Sequence, residues 1–277
     1  MPAIPFTPRS SARKLLRTLG CVAIWIAGWF APAGRAAAQS CHSPSLRPTS
    51  GLTYRAALTT TFASFGTGDG RGEYQGLFAT FSVAHPWFVA DVVLPSYRIA
   101  RTGSHAYGLG DLAMSARAHV YQSSDGMLLA GPELAASLPS GSAADELGMG
   151  HVMLMPGVFA LFHGTQLALI AQIAYGRALI GSHAHHHMDP IPLVNPMNRS
   201  ELTHAIGVSA ALHANLRVTG RLLGAVHVFD HAGTAREIVA PGLQLILGKF
   251  DLALELQLPV LGKPFESRSV INLGAQW

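Results

Sequence analysis

Charge is scarce in this chain: only 12% of its 277 residues are Asp, Glu, Lys or Arg, about half the fraction of an ordinary soluble domain. With 49% of the residues apolar, that scarcity excludes a disordered chain, which needs low hydrophobicity. It also excludes a coiled coil, whose surface is dominated by Glu, Lys and Arg. Long apolar runs are missing too. No internal stretch reaches the roughly 18 uncharged apolar residues of a spanning helix, so a polytopic helical membrane protein is excluded. Cysteine is nearly absent, with only Cys21 and Cys41. The chain also lacks a GxSxG elbow, a Walker loop, a dinucleotide fingerprint and an HExxH pair.

The first 38 residues stand apart. Arg9, Arg13, Lys14 and Arg17 precede the apolar stretch Leu19 to Pro32, and Ala36, Ala37 and Ala38 supply small residues for cleavage. This is the layout of a secretory signal peptide. An anchor helix is the competing reading, but the stretch is short and is interrupted by Gly28 and Pro32. Removing this segment leaves 14 of the 19 basic residues against 15 acidic ones, a net charge of −1 with histidine neutral. The pI near 9.3 therefore belongs mostly to the targeting segment, and charge gives no support for a nucleic-acid partner. Cleavage also removes Cys21, so Cys41 cannot form an intrachain disulfide. Ala38, Gln39 and Ser40 make a poor lipidation motif before it. Residues 39–52 are read as a short periplasmic segment and 53–277 as one domain.

Beyond Ser50 the dominant signal is alternation with a period of two. Phe250, Leu252, Leu254, Leu256 and Leu258 alternate with Asp251, Ala253, Glu255 and Gln257. A helix would scatter those five apolar residues around its circumference, whereas a strand puts them on one face. The rhythm predicts twelve strands, near residues 53–65, 74–84, 86–97, 111–121, 127–138, 152–162, 166–178, 201–213, 215–228, 237–247, 250–259 and 268–277. Their connections alternate between short turns and long loops. An even number of antiparallel strands with that asymmetry predicts an all-β chain, a single twelve-stranded antiparallel transmembrane β-barrel in the outer membrane of a Gram-negative bacterium, with short periplasmic turns and long extracellular loops. A periplasmic β-sandwich is the alternative.

In such a barrel the apolar face meets lipid and the polar face lines the lumen. On this phase the acidic lumen residues are Asp91, Glu133, Asp251 and Glu255, and the basic ones are Arg55, Arg117, Arg217 and Arg221, joined by His119 and His227. They form either a polar constriction that selects a small solute or ion pairs that fill a narrow barrel. Tyr54, Phe88, Tyr175, Phe250 and Trp277 fall near strand ends on the outward phase, where an interfacial aromatic girdle sits.

Ile271, Leu273, Ala275 and the final Trp277 alternate up to an aromatic terminus. This stretch resembles the terminal-strand signal read by the outer-membrane barrel assembly machinery. Gly108-Leu109-Gly110-Asp111 leads into one strand, and Leu138-Pro139-Ser140-Gly141 closes the next. In order and in separation by one hairpin, these resemble the GxGD and LPxG elements of the outer-membrane transporter family named after the phenol meta-cleavage pathway (the MetA-pathway of phenol degradation type). The resemblance is specific over about residues 105–160. It implies an outer-membrane barrel for small-molecule passage, carries no substrate across, and maps no binding residue onto this chain.

The most unusual local feature is the outer loop with His183, His185, His186 and His187, followed by Met188, Asp189 and Met197. Four imidazoles within five residues can offer several nitrogens to Zn²⁺, Ni²⁺ or Cu²⁺, with an Asp oxygen and Met sulfur nearby. The reading is a metal-modulated mouth; the competing reading is a solvated loop with incidental metal affinity, as in an affinity tag. No cofactor is required. The expected function is passive passage of a small solute through an outer-membrane barrel, with outer-membrane lipid and a small solute or metal ion as partners. Alternatives are a metal-binding surface barrel without a pore and a lipid hydrolase. The hydrolase needs a serine beside a histidine on the lipid face, and outward-phased His204 meets neither Ser200, in a loop, nor inward-phased Ser209.

Overall fold

The computed structural model describes residues 39–40, 43–44, 51–67, 70–101, 103–181, 199–228, 235–262 and 264–277. Twelve antiparallel strands close into one barrel. They are β1 (Thr53–Thr67), β2 (Gly70–His85), β3 (Phe88–Arg101), β4, β5 (Leu128–Leu138), β6 (His151–His163), β7 (Leu167–Gly181), β8 (Ser200–His213), β9 (Leu216–His227), β10 (Arg236–Leu247), β11 (Phe250–Leu261) and β12 (Ser267–Gln276). Strand β4 runs in three segments, Ser104–Leu109, Leu112–Ala118 and Tyr121–Gln122. The first two share β3 as a partner, and the last two share β5. Closure runs through β12 and β1, from Ser267 opposite Ser64 to Gln276 opposite Arg55. Beyond that ladder, the Tyr54 and Trp277 backbones exchange two hydrogen bonds of 3.0 Å. Closure leaves the sheet without an edge, so the strands satisfy their own backbone groups as lipid demands.

Phe62, Leu77, Phe81, Leu94, Val158, Ile173, Ile206, Leu243 and Leu273 all point outward and are 44–55% exposed. On their other face the barrel strands bury Arg55, Ser82, Asp91, Arg117, Arg217 and Gln244. A closed ladder, apolar outside and polar inside, is the architecture of an outer-membrane barrel. The short connections, at residues 86–87, 123–127, 164–166, 214–215 and 248–249, share one end, which is the periplasmic end. Gly248, at φ 64°, supplies the left-handed residue that a two-residue hairpin needs.

The turn at 123–127 is tied by Asp125, whose carboxylate accepts from the Ser123 hydroxyl at 2.6 Å and the Met127 N–H at 3.0 Å. The Ser123 bond first, then the Met127 bond, hold the Asp125 carboxyl below the usual range. A lowered folded-state pKa means that this contribution is complete above the unfolded value and is lost as pH falls through the folded one. Protection of the Met127 amide against hydrogen exchange is therefore expected to persist through the ordinary carboxylate titration range and to fall away only below it. Loss of protection already at pH 6 would contradict the carboxylate's role.

The structure corrects two loop assignments. Residues 70–73, and residues 98–101 with 104–109, expected as connections, continue the ladder above the apolar band. The reason is an inversion of pattern. In mid-strand the outward residue is apolar, but near the outer end Glu73, Gln75 and Arg98 point outward while Tyr74, Tyr97 and Ile99 are buried inside. Above the lipid, water wets the outer face, and apolar side chains retreat inward.

Candidate functional site

Acid–base pairs crowd the interior, and most reach past an intervening strand. Arg55 on β1 meets Asp251 on β11 at 3.1 Å, with Arg55 3% exposed and also donating to the Asn272 side chain. The strand between them, β12, offers Gly274 at the crossing; a Cβ there would overlap both the Arg55 guanidinium and the Asp251 carboxylate. Arg236 on β10 makes a two-pronged bond at 3.0 Å to Glu201 on β8, across Ala225 of β9. Arg221 on β9 forks onto Glu255 on β11. Gln172 on β7 donates to Glu133 on β5 at 2.6 Å. Two other interactions link neighbouring strands: Arg117 lies 3.7 Å from Asp91, which also accepts from Ser115, and Arg217 donates to the Ser209 hydroxyl at 2.7 Å. Small residues at the crossings let long side chains bond over a strand, and paired carboxylates make burial of the Arg55, Arg117, Arg221 and Arg236 guanidiniums tolerable.

The outer end of the interior is different. Phe65, Tyr74, Tyr97, Ile99 and Ile238 converge there from four strands, with Phe78 and Leu223 packed against them. Two further members come from loops, Leu147 from the β5–β6 connection and Phe265 from the β11–β12 connection, at 3% and 2% exposure. An apolar layer thus fills the outer lumen above the polar one. Sequence reasoning assigned only polar residues to the inward face and missed this layer. The inverted alternation Tyr97-Arg98-Ile99 was the available signal.

Leu147 is seated by a clamp on its loop. The buried Asp111 carboxylate accepts from Met149 N–H at 2.6 Å and Gly141 N–H at 3.0 Å. Ser140 adds two bonds, donating from its hydroxyl to the Gly110 carbonyl and accepting from Leu112 N–H, both at 2.8 Å. Arg101 pairs with Glu146 at the rim. Close approach requires glycine at 148, where a Cβ would overlap the Asp111 carboxylate. The GxGD and LPxG stretches are therefore partners: the first interrupts β4 and presents the acid, and the second receives it.

No family model matches the chain, and no curated protein matches it in sequence. Solved structures do. The COG4313 outer membrane channel from Pseudomonas putida F1 aligns over 90% of this chain and 100% of its own, with a TM-score of 0.60 at 10% identity. The fold is that of an outer-membrane β-barrel. The KdgM porin (TM-score 0.49, 8% identity, 80% of this chain and 98% of that one) and the NanC porin (0.48, 9%, 80% and 97%) also match.

Arg55, Asp91, Arg117, Glu133, Arg217, Arg221, Asp251 and Glu255 lie in the interior, in the interactions just given. His119 sits at the periplasmic end, its ring hydrogen-bonded to the Pro86 carbonyl at 2.8 Å and set edge-on to Phe159. His227 is exposed at the outer end of β9, opposite buried Glu201. Ile271, Leu273, Ala275 and Trp277 end the closing strand, with Leu273 and Trp277 exposed on the outer face. His183, His185, His186, His187, Met188, Asp189 and Met197 lie outside the described residues. Among the described residues no three metal-ligating side chains gather. His204 points outward and meets Glu237 at 3.1 Å, across Gly224. Ser200 is hydrogen-bonded to Tyr175 and Ser209 to Arg217, so neither serine meets this histidine.

Proposed function

We infer that the protein is a passive outer-membrane channel for a small solute, and that the loop at residues 139–150 admits or excludes it. The observation that carries this reading is the division of the lumen. The polar layer is built from strand residues, whereas the apolar layer is completed by Leu147, which sits on a loop and can leave without breaking any ladder. A solute entering from outside displaces that loop and then meets paired charges that offer hydrogen bonds. The two stretches that resemble the phenol meta-cleavage transporters both belong to this one device, joined by the bond from Gly141 N–H to Asp111.

The histidine loop extends the proposal: a transition metal held by His183, His185, His186 and His187 modulates entry. Planar-bilayer recording of the refolded mature chain, before and after micromolar Zn²⁺ or Cu²⁺, tests both parts. Stable conductance steps that the metal alters are the expected result. Steps indifferent to metal remove the metal role, and absence of steps removes the channel, leaving the surface-binding barrel that a filled outer lumen favours. Deleting residues 183–187 is expected to abolish the metal response while heat-modifiable migration, the gel signature of a folded barrel, is retained. A deletion variant that no longer folds would place those residues in the barrel's framework instead.

A further inference from the structure

Arg268 stands where the two layers of the lumen meet. It points inward from β12, opposite Gln257 on β11 and Ala63 on β1. Its Nε donates to the Gln257 amide oxygen at 2.6 Å and its Nη1 to the Tyr74 hydroxyl at 2.9 Å. The Phe265 ring covers the guanidinium, 4.5 Å from its centroid. Each of these partners is neutral. Of the other inward arginines among the described residues, Arg55, Arg117, Arg221 and Arg236 each meet a carboxylate, and Arg217, on the polar layer, donates to the Ser209 hydroxyl and carbonyl. A part-buried guanidinium whose partners among the described residues are all neutral is short of the anion that would most lower its energy.

The geometry points to a binding subsite at Arg268 for a small monocarboxylate with an apolar body, a ligand class that rests on the channel reading and narrows it. The carboxylate accepts a forked pair of hydrogen bonds from the guanidinium, as carboxylates do with arginine. The apolar body lies outward of it among Phe65, Tyr74, Phe78 and Tyr97. Phe265 and Leu147 hold that space in the empty channel. Both come from connections, so both can yield to a solute while the strand-borne members of the layer stay in place. Phe265 over the guanidinium already occupies the position that a ligand's apolar body takes up. The neutral partners have a purpose on this view: Gln257 and Tyr74 hold the guanidinium in one orientation without neutralising it.

The test uses the full mature chain in nanodiscs, with labelled hexanoate and hexanol as probes in equilibrium dialysis and empty nanodiscs as the blank. Hexanoate is expected to bind, and Arg268→Gln to weaken it about tenfold or more, the loss of a charge-assisted pair. Arg268→Lys is expected to fall between, because it keeps the charge and loses the fork. Hexanol is expected to bind the unaltered chain about tenfold more weakly than hexanoate. Heat-modifiable migration checks that each variant is folded. Hexanoate binding that Arg268→Gln leaves unchanged, hexanol binding as strong as hexanoate, or no hexanoate binding at all would overturn the subsite. Bilayer conductance is read separately: hexanoate binding without conductance defeats the channel and leaves the subsite, and conductance without binding does the reverse.

Discussion

Asp111→Ala is expected to open the channel. The buried carboxylate is the shared acceptor for Gly141 and Met149, the residues on either side of the turn that carries Leu147. A hydrogen bond to a charged group contributes about 1.5–3 kcal/mol, and an N–H left unsatisfied in a buried place adds to the loss. Weakening the seated loop by about 3 kcal/mol shifts the ratio of seated to released loop by roughly a hundredfold. In single-channel records the open fraction should rise steeply, and limited proteolysis should cut between residues 139 and 150 much faster. Asp111→Asn keeps an acceptor oxygen of similar reach and should fall between. The rim pair gives the contrast. Arg101 and Glu146 are 34% and 39% exposed at the side chain, and exposed pairs contribute about 0–1 kcal/mol, so Glu146→Gln should leave both readouts nearly unchanged. If Asp111→Ala gates and digests like the unaltered chain, the loop is not what closes the lumen.

How much of this was legible in the sequence depends on which solvent each face meets. All twelve strands announce themselves where one face meets lipid and the other the polar interior, as in Phe250 to Leu258. The same rule placed Arg55, Asp251, Arg221 and Glu255 inside. It failed above the lipid, where the outward face is wet: Glu73 and Arg98 read as loop because an apolar outer face was the criterion, and the ladder continues through them. The apolar layer was missed for the same reason, since Tyr74 and Tyr97 occupy a phase reserved for polar residues. The clamp was partly legible. The two glycine-bearing stretches stand out, but that Asp111 joins them is a contact across a hairpin, and spacing alone does not reveal it. Nor does alternation show that acids and bases pair over a strand rather than with the strand beside them. That depends on small residues such as Gly274 and Ala225 at the crossing, a signal visible only once register is known.

The pair at the barrel's seam carries the second large expectation. Arg55 lies on the first strand and Asp251 on the eleventh, so their bond spans the closing strand and fastens the place where the two ends of the sheet meet. Asp251→Leu leaves the guanidinium buried without its carboxylate, and removing one partner of a buried pair costs about 3–5 kcal/mol. The unfolding midpoint in urea, read by heat-modifiable migration, should fall markedly. The double replacement Arg55→Met with Asp251→Leu removes both charges, and well-packed apolar pairs commonly replace buried ion pairs at little or no cost, so it should recover most of the loss. That asymmetry separates two roles. If the pair merely fills space, the single variant should sit within about 1 kcal/mol of the double, the scale of an ordinary substitution. If it fastens the seam through charge, the single should be far worse than the double. Gly274→Val offers an independent check: it leaves both charges present but puts a side chain where they meet, and should reproduce the Asp251→Leu loss without altering either partner.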